Sequence, residues 1–181
     1  MTAFANQYGP WAMVTGASSG LGRAIARRLG ERGLNVILHG RNIEALTAVA
    51  QDIQKAGGET RIITGDISDT TAINAVKAQV KGHDIGTLVA AAGFGTSGMF
   101  AQSRIDSELN MLEVNVRAYV LLTHYFAQQM VAKKRGGIML FGSLVGFQGT
   151  PYAANYAATK AYMQVLAEGC CQTNANHSLQ G

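Results

Sequence analysis

The sequence predicts an α/β fold in which helices cover both faces of a parallel sheet of about five strands. Short apolar runs alternate along the chain with longer segments of helical periodicity. The runs are apolar at nearly every position, as is typical of strands that are buried on both faces. The 22 glycines and 2 prolines among 181 residues indicate many tight turns in an ordered chain.

Five apolar runs are the predicted strands. In chain order they are WAMVTG, LNVILHG, TRIITGD, GTLVAAAG and GGIMLFGS. Glycine, small or polar residues follow each run and predict a turn there. Right-handed crossovers between such strands produce a doubly wound sheet, whose ligand crevice lies at the carboxyl ends of the strands.

The segments between the runs predict the helices. Their approximate ranges are 20–32, 42–56, 69–81, 106–134 and 153–168. The second helix begins near Asn42 and ends at Gly57-Gly58, because glycine is common just after a helix. Ser68 is the predicted N-cap of the third helix, since its hydroxyl can accept a bond from a free backbone N–H.

Composition limits the classes of function. We predict one dinucleotide-binding domain over residues 1–168 and an atypical polar tail over 169–181. The net charge is only +4 and the basic residues are scattered, which argues against nucleic-acid binding. No apolar run approaches the ~18–20 residues of a membrane span. Adjacent Cys170 and Cys171 suit neither a disulfide nor zinc, so we expect a cytoplasmic protein. The four histidines lack the mutual spacing of a metal site.

A glycine-rich turn, TGASSGLG, follows the first predicted strand. A P-loop needs a glycine after four intervening residues, followed by lysine, and Leu21 stands there instead. The spacing of Gly16, Gly20 and Gly22 also differs from G-x-G-x-x-G. Glycines nevertheless let the backbone turn tightly and approach a pyrophosphate at the amide-rich start of a helix. The turn therefore favours a dinucleotide site, with tight strand–helix packing as the alternative.

Two charged residues end the second and third predicted strands. Enzymes of this architecture that use the unphosphorylated cofactor carry an acid where Arg41 stands. The Arg41 guanidinium instead suits the 2′-phosphate of NADP; the alternative is an exposed arginine at a helix start. Asp66 either lies beside the adenine ring or caps the next turn.

Tyr156 and Lys160 lie four residues apart in the run NYAATKAY. This spacing is just over one helical turn, so both side chains project from the same face. A phenol ordinarily titrates near pH 10, and a neighbouring ammonium group favours the phenolate. The pair therefore suits acid–base chemistry, and packing with a solvated amine is the alternative.

From Trp11 to Glu168 the chain resembles the short-chain dehydrogenase/reductase (SDR) family. Its Thr-Gly-x-x-x-Gly-x-Gly motif matches residues 15–22, and its Tyr-x-x-x-Lys motif matches Tyr156 and Lys160. Its active-site serine, thirteen residues before the tyrosine, matches Ser143, and its Asn-Val element matches Asn115-Val116. The resemblance implies a Rossmann-like fold.

The resemblance also implies roles for these residues. Tyr156 is the expected general acid/base, and Lys160 would lower its pKa and hold the nicotinamide ribose. Ser143 would bind the substrate oxygen, and Asn115 would hold a water on a proton path. Alternatively, Asn115 is a buried polar residue satisfied by backbone, and Ser143 is a turn residue. The expected cofactor-binding residues are Thr15, Gly16, Ser18, Ser19, Gly20, Leu21, Gly22, Arg41, Asp66, Ile67, Gly93, Tyr156 and Lys160.

The resulting prediction is an oxidoreductase that transfers a hydride between NADP(H), in preference to NAD, and a small-molecule carbonyl/alcohol substrate. The resemblance further implies a homo-oligomer. Family members continue beyond the lysine with two more strands, so we expect a C-terminally truncated member whose activity is impaired. The alternative is a catalytically silent dinucleotide-binding remnant, or a dimerisation partner of full-length relatives.

Overall fold

A five-stranded parallel sheet forms the centre of the protein, and the computed structural model describes residues 3–178. The strand order is β3-β2-β1-β4-β5. The strands are β1 (Trp11–Thr15), β2 (Asn35–Gly40), β3 (Thr60–Thr64), β4 (Ile85–Ala90) and β5 (Gly137–Leu140). The chain winds outward from β1 to β3 and then returns to the other side of β1. This order confirms the predicted doubly wound, Rossmann-like α/β class.

The register of the sheet aligns the carboxyl ends of its three central strands. Thr15, the last residue of β1, lies opposite His39 on β2 and Ala90 on β4. Each residue of β4 is buried, as predicted for a strand with covered faces. The turns that follow these strands consequently meet at one edge of the sheet.

Within residues 3–178, seven α-helices surround the sheet. They are α1 (Ala3–Tyr8), α2 (Gly20–Glu31), α3 (Ile43–Lys55), α4 (Thr70–Val80), α5 (Ile105–Leu112), α6 (Ala118–Lys133) and α7 (Ala154–Ser178). Successive strand residues face opposite sides, so Val14 belongs to the core under α2 and α3. Met13 belongs to a second core on the opposite face, with Phe126 of α6. Helix α1 was not among the predicted helices; at its end the Tyr8 carbonyl accepts a bond from the Thr87 hydroxyl.

The predicted helix starts are partly confirmed. Asn42 caps α3, since its Oδ1 accepts a bond from the Ala45 N–H at 2.9 Å. The prediction that Ser68 caps α4 is wrong, because Asp69 does so by accepting from the Thr71 N–H at 2.8 Å. Ser68 lies within the turn before the helix and donates its N–H and hydroxyl to Asp66 instead.

Two predicted helices differ from the observed ones. The helix predicted over 106–134 is interrupted, because a π-helical segment, Glu113–Arg117, separates α5 from α6. An extra residue in such a turn shifts the side chains around it, and Asn115 within the segment is 1% exposed. Helix α7 continues past the predicted end at residue 168, and the last residues of the predicted polar tail lie outside the described residues.

The hydrogen bonds accepted by the Thr15 hydroxyl should contribute to the free energy of unfolding. Its buried Oγ1 accepts bonds from the Ala91 and Ala92 N–H groups at 3.1 and 3.2 Å. Thr15→Val preserves the shape and leaves both N–H groups without that partner, so we expect the free energy of unfolding to fall by about 1–3 kcal/mol. Urea denaturation measures this change. Thr15→Ser retains the hydroxyl and should lose less; equal stability of the wild type and the valine variant would contradict the prediction.

Candidate functional site

The turn between β1 and α2 is shaped by two glycines. Gly16 has φ +66, and a Cβ there would lie 2.8 Å from the nitrogen of Ala92, two residues after the end of β4. A Cβ on Gly22 would overlap the Gly16 carbonyl oxygen. Any other residue would force the turn away from β4, so these positions require glycine for packing. The close approach also leaves the start of α2 open beside the ends of the strands.

The first turn of α2 is suited to an anion. The N-cap Ser19 makes no side-chain capping bond within the described residues, and no acidic residue lies in this turn. The first backbone N–H groups of a helix have no partner inside the helix and carry partial positive charge. A phosphate group placed there would accept these bonds, which is the chemistry that the predicted dinucleotide site needs.

A cavity of about 340 Å³ lies over the carboxyl ends of the strands. It brings together all of the predicted cofactor residues except Thr15, Tyr156 and Lys160. Thr15 is buried behind the turn, where it bonds to backbone instead. The cavity is lined by Gly16, Ser18, Ser19, Gly20, Leu21, Gly22, His39, Gly40, Arg41, Gly65, Asp66, Ile67, Ala91, Ala92, Gly93, Phe94, Asn110 and Val114.

Arg41 and Asp66 face each other at one end of the cavity. The Arg41 Nη1 lies 3.7 Å from the Asp66 Oδ2, and the arginine side chain is 80% exposed. Such an exposed pair contributes little to stability, so the guanidinium is available to a ligand. The bond from the Ser68 N–H is the main cause that lowers the pKa of Asp66. Asp66 therefore both holds the next turn and lines the cavity.

His39 is a cavity residue that the sequence analysis did not single out as a ligand-binding residue. It is 2% exposed at the end of β2, and burial lowers its pKa to about 4 against a smaller opposing effect of Asp66. The imidazole is therefore neutral near pH 7. A polar residue at the carboxyl end of an otherwise apolar strand was the available signal, because ligand sites lie at that edge.

Tyr156 and Lys160 lie together on α7, as their spacing predicted. The Lys160 Nζ is 5.7 Å from the centre of the Tyr156 ring and donates to the Phe141 carbonyl at 2.9 Å. Lys160 is 6% exposed, and burial lowers its pKa. The Tyr156 ring lies against Gly95, where an added Cβ would come within 3.0 Å of it. Both side chains are thus positioned by segments that follow β4 and β5.

Asn115 joins the segment after β4 to two helices. Its Oδ1 accepts from the Phe94 N–H at 3.1 Å, and its Nδ2 donates to the Phe94 carbonyl at 2.7 Å. The Nδ2 also donates to the Thr159 Oγ1 of α7 at 3.2 Å. These contacts correspond to the alternative of a buried amide satisfied largely by backbone. The water-holding role of Asn115 stays a prediction.

Ser143 lies in the segment between β5 and a 3₁₀ turn, Leu144–Phe147. Its half-buried Oγ accepts from the Val145 N–H at 3.4 Å. A hydroxyl that accepts one bond still has a hydrogen to donate, so this contact is compatible with binding a substrate oxygen. The turn-residue alternative is compatible with the same contact.

Another tyrosine contributes to this region. Tyr119 on α6 is 3% exposed, and its hydroxyl lies 3.9 Å from the position of a Cβ on Gly93. Burial, and to a smaller extent Tyr156, raises the pKa of Tyr119. Tyr119 therefore stays protonated at neutral pH and is a poor base.

The family model for short chain dehydrogenases matches residues 10–180. The chain belongs to the short-chain dehydrogenase family. Members of this family are oxidoreductases that bind NAD or NADP and act on small molecules. The match spans the glycine turn, the cavity and the Tyr156–Lys160 pair.

Two curated relatives illustrate the range of this family. The chain is 34% identical over 178 residues to a 7β-hydroxysteroid dehydrogenase of Clostridium sardiniense, covering 96% of this chain and 68% of the relative. It is 39% identical over 161 residues to the inactive hydroxysteroid dehydrogenase-like protein 1 of Pongo abelii, covering 87% of this chain. The chain spans about half the length of that second relative (49%).

Solved structures share the fold. A short-chain dehydrogenase from Sphingobium yanoikuyae in complex with NADPH is 29% identical, with a TM-score of 0.88 over 93% of this chain and 66% of that one. A metagenomic short-chain oxidoreductase in complex with NADP is 36% identical, with a TM-score of 0.87 over 94% of this chain and 79% of that one. Both complexes contain the phosphorylated form of the cofactor.

The structure offers neither a membrane-spanning helix nor a metal cluster within residues 3–178. Across the described residues, no helix combines the length and apolar character needed to cross a bilayer. The same part of the chain contains no group of three His, Cys, Asp or Glu side chains placed to hold a metal ion.

Burial of His39 predicts that the free energy of unfolding depends on pH. The pKa of His39 is about 4 in the fold and 6.5 ordinarily, so the unfolded chain binds the proton first as the pH falls. The free energy of unfolding therefore keeps its full His39 contribution above about pH 6.5 and loses it as the pH falls towards 4. We expect a loss of up to about 3 kcal/mol, measured by urea unfolding at several pH values. His39→Leu should flatten the curve in this window; an unchanged slope would contradict the prediction.

Proposed function

We propose that this chain is an NADP-dependent oxidoreductase that transfers a hydride between NADP(H) and a carbonyl/alcohol substrate. The observation that carries the proposal is the Tyr156–Lys160 pair on one helix, beside a glycine-lined cavity at the ends of the strands. Residues 1–168 form the dinucleotide-binding domain in this proposal. A homo-oligomer in the cytoplasm is the state that the family resemblance favours.

The proposed cofactor-binding residues are those whose charge or N–H groups suit the phosphates of NADP. The open N–H groups of α2 would bind the pyrophosphate, and Ser18 and Ser19 line the same wall. Arg41 would bind the 2′-phosphate of NADP by charge-assisted hydrogen bonds. Its exposure and its long contact to Asp66 leave the guanidinium available for this role. The NADPH and NADP complexes of similar structures support this preference over NAD.

Tyr156 would donate a proton to the substrate oxygen during reduction and accept it during oxidation. The bound cofactor supplies or takes the hydride. Lys160, whose Nζ lies 5.7 Å from the centre of the Tyr156 ring, would also bind the nicotinamide ribose. Ser143 would donate a hydrogen bond to the oxygen on which charge develops. We further propose that Asn115 holds a water that continues the proton path from Lys160.

The substrate is proposed to be an apolar carbonyl compound. Phe94, Leu144 and Phe147 are exposed near the segments that carry Ser143 and Tyr156, with Leu144 87% exposed. Apolar side chains of this kind favour an apolar ligand surface. The similarity to a 7β-hydroxysteroid dehydrogenase supports the choice of steroid ketones as the first test substrates.

Arg41→Gln tests the cofactor preference. We expect NADPH affinity to fall roughly 10- to 100-fold, because one or more charge-assisted bonds to the 2′-phosphate are lost. NADH affinity should change less than about twofold, since NADH lacks that phosphate. Thermal unfolding with each cofactor reports the change, because a ligand at one hundred times its Kd stabilises by about 2.7 kcal/mol.

Arg61→Gln is the matched control for this experiment. Arg61 is an exposed arginine on the neighbouring strand β3 and does not line the cavity. It should leave both affinities unchanged. Equal stabilisation of the wild type by NADPH and NADH would contradict the assignment of Arg41 while leaving a dinucleotide site in place.

Tyr156→Phe tests the chemistry. Removal of the phenolic hydroxyl should lower kcat by about 10²- to 10⁴-fold with cofactor affinity retained. NADPH oxidation in the presence of a panel of steroid and aryl ketones is the measurement. Tyr162→Phe is the control, because this tyrosine lies on the same helix and is 46% exposed. Equal loss in both variants would rule out the specific role of Tyr156.

A catalytically silent dinucleotide-binding protein is the second candidate, and a dimerisation role for full-length relatives belongs to it. The specific observation in its favour is the 39% identity to a relative named inactive. The two candidates differ in one result. Stabilisation by NADPH without turnover of any ketone, and with no difference between the wild type and Tyr156→Phe, would favour the silent protein.

A further inference from the structure

His39 is a buried polar side chain whose hydrogen-bonding atoms have no protein partner. It is 2% exposed and lines the cavity at the end of β2. Both ring nitrogens, Nδ1 and Nε2, are buried and lack a hydrogen-bond partner among the described residues. Buried polar atoms are nearly always paired, so an unpaired donor and an unpaired acceptor in one ring require an explanation.

The surroundings of the ring assign it to one end of the cavity. The Nε2 lies 3.8 Å from the position that a Cβ on Gly65 would occupy. Gly65, Asp66 and Arg41 line the cavity beside His39. Asp66 is the charged group that acts on the ring, and Arg41 is paired with Asp66 at 3.7 Å. The ring thus belongs to the end where the strands β2 and β3 finish, opposite the Tyr156 end.

The chemistry of a neutral imidazole fits an adenosine. One ring nitrogen donates and the other accepts. Adenine offers an amino donor with ring-nitrogen acceptors, and a ribose hydroxyl both donates and accepts. A ligand that pairs with the ring would remove the cost of leaving these atoms unpaired, and this gain would appear only in the complex.

We propose that His39 recognises the adenosine half of the dinucleotide by hydrogen bonding from the floor of the cavity. This inference rests on the proposed cofactor function and deepens it. It assigns to His39 a role in binding the cofactor that none of the sequence motifs contains. The unpaired ring lowers the stability of the free protein and raises its affinity for the ligand.

Two small molecules, each corresponding to one half of the cofactor, test the role of His39. The probes are 2′,5′-ADP, which contains the adenosine, and nicotinamide mononucleotide, which does not; isothermal titration measures their Kd values. His39→Leu should weaken 2′,5′-ADP about tenfold or more and leave nicotinamide mononucleotide unchanged. The same variant should raise the Tm of the free protein by about 2–4 °C, because unpaired polar atoms are removed. His39→Gln retains a donor and an acceptor, so its affinity for 2′,5′-ADP should stay within about threefold of the wild type.

Thr123→Val is the matched control. Thr123 on α6 also has a buried hydroxyl without a partner among the described residues, and it does not line the cavity. This variant should raise the Tm of the free protein without changing either Kd. Comparison of Thr123→Val with His39→Leu therefore distinguishes the Tm gained by removing an unpaired group from the affinity lost by removing a ligand contact.

Three results would overturn the proposal. One is wild-type affinity of His39→Leu for 2′,5′-ADP, and another is an equal loss for both probes. If His39→Leu does not fold, His39→Gln and His39→Asn provide the test. The glutamine amide reaches only the Nε2 position and the asparagine amide only the Nδ1 position, so wild-type affinity of both variants for 2′,5′-ADP overturns the proposal. In that case a loss confined to His39→Asn, with the affinity of His39→Gln within about threefold of the wild type, supports it. A wild type that binds neither 2′,5′-ADP nor NADPH would overturn the cofactor function itself, which is a distinguishable failure.

Discussion

The buried amide of Asn115 is the interaction on which the geometry of the site depends. A buried amide is costly unless its donors and acceptor are paired, and Asn115 pairs them with the Phe94 backbone and the Thr159 hydroxyl. These bonds join the segment after β4, the π-helical segment and α7. Gly95, next to Phe94, then lies against the Tyr156 ring. The position of the proposed acid/base thus follows from the pairing of a side chain on another helix.

Further hydrogen bonds fix the start of α7. The Asn155 Nδ2 donates to Glu108 Oε2 at 2.8 Å, and the Thr96 hydroxyl donates to Glu108 Oε1 at 3.0 Å. The bond from Asn155 is the main cause that lowers the pKa of Glu108. Further along α7, Lys160 donates to the Phe141 carbonyl. Apolar packing therefore forms the cores, whereas polar side chains orient the helix that carries Tyr156 and Lys160.

The strand order divides the site into two halves. The first strands are added on one side of β1 and the later ones on the other, so the turn after β1 opens between the ends of β2 and β4. The half next to β2 and β3 contains the charged pair Arg41–Asp66 and the neutral His39. The other half is formed by segments distant in sequence, including α7.

The sequence by itself determined the fold class, the glycine turn and the one-turn spacing of Tyr156 and Lys160. Each of these depends on periodicity or on steric demands within a few residues, which the sequence displays directly. It also placed the start of a helix near Asn42, where α3 begins, but chose Ser68 over Asp69 as the cap of α4, because both residues can cap and only the observed turn selects one. The tertiary structure alone decided the burial of His39, the break in the helix around Asn115 and the partners of Asn115. Those partners lie 21 and 44 residues away, and burial depends on what packs against a side chain from such distances.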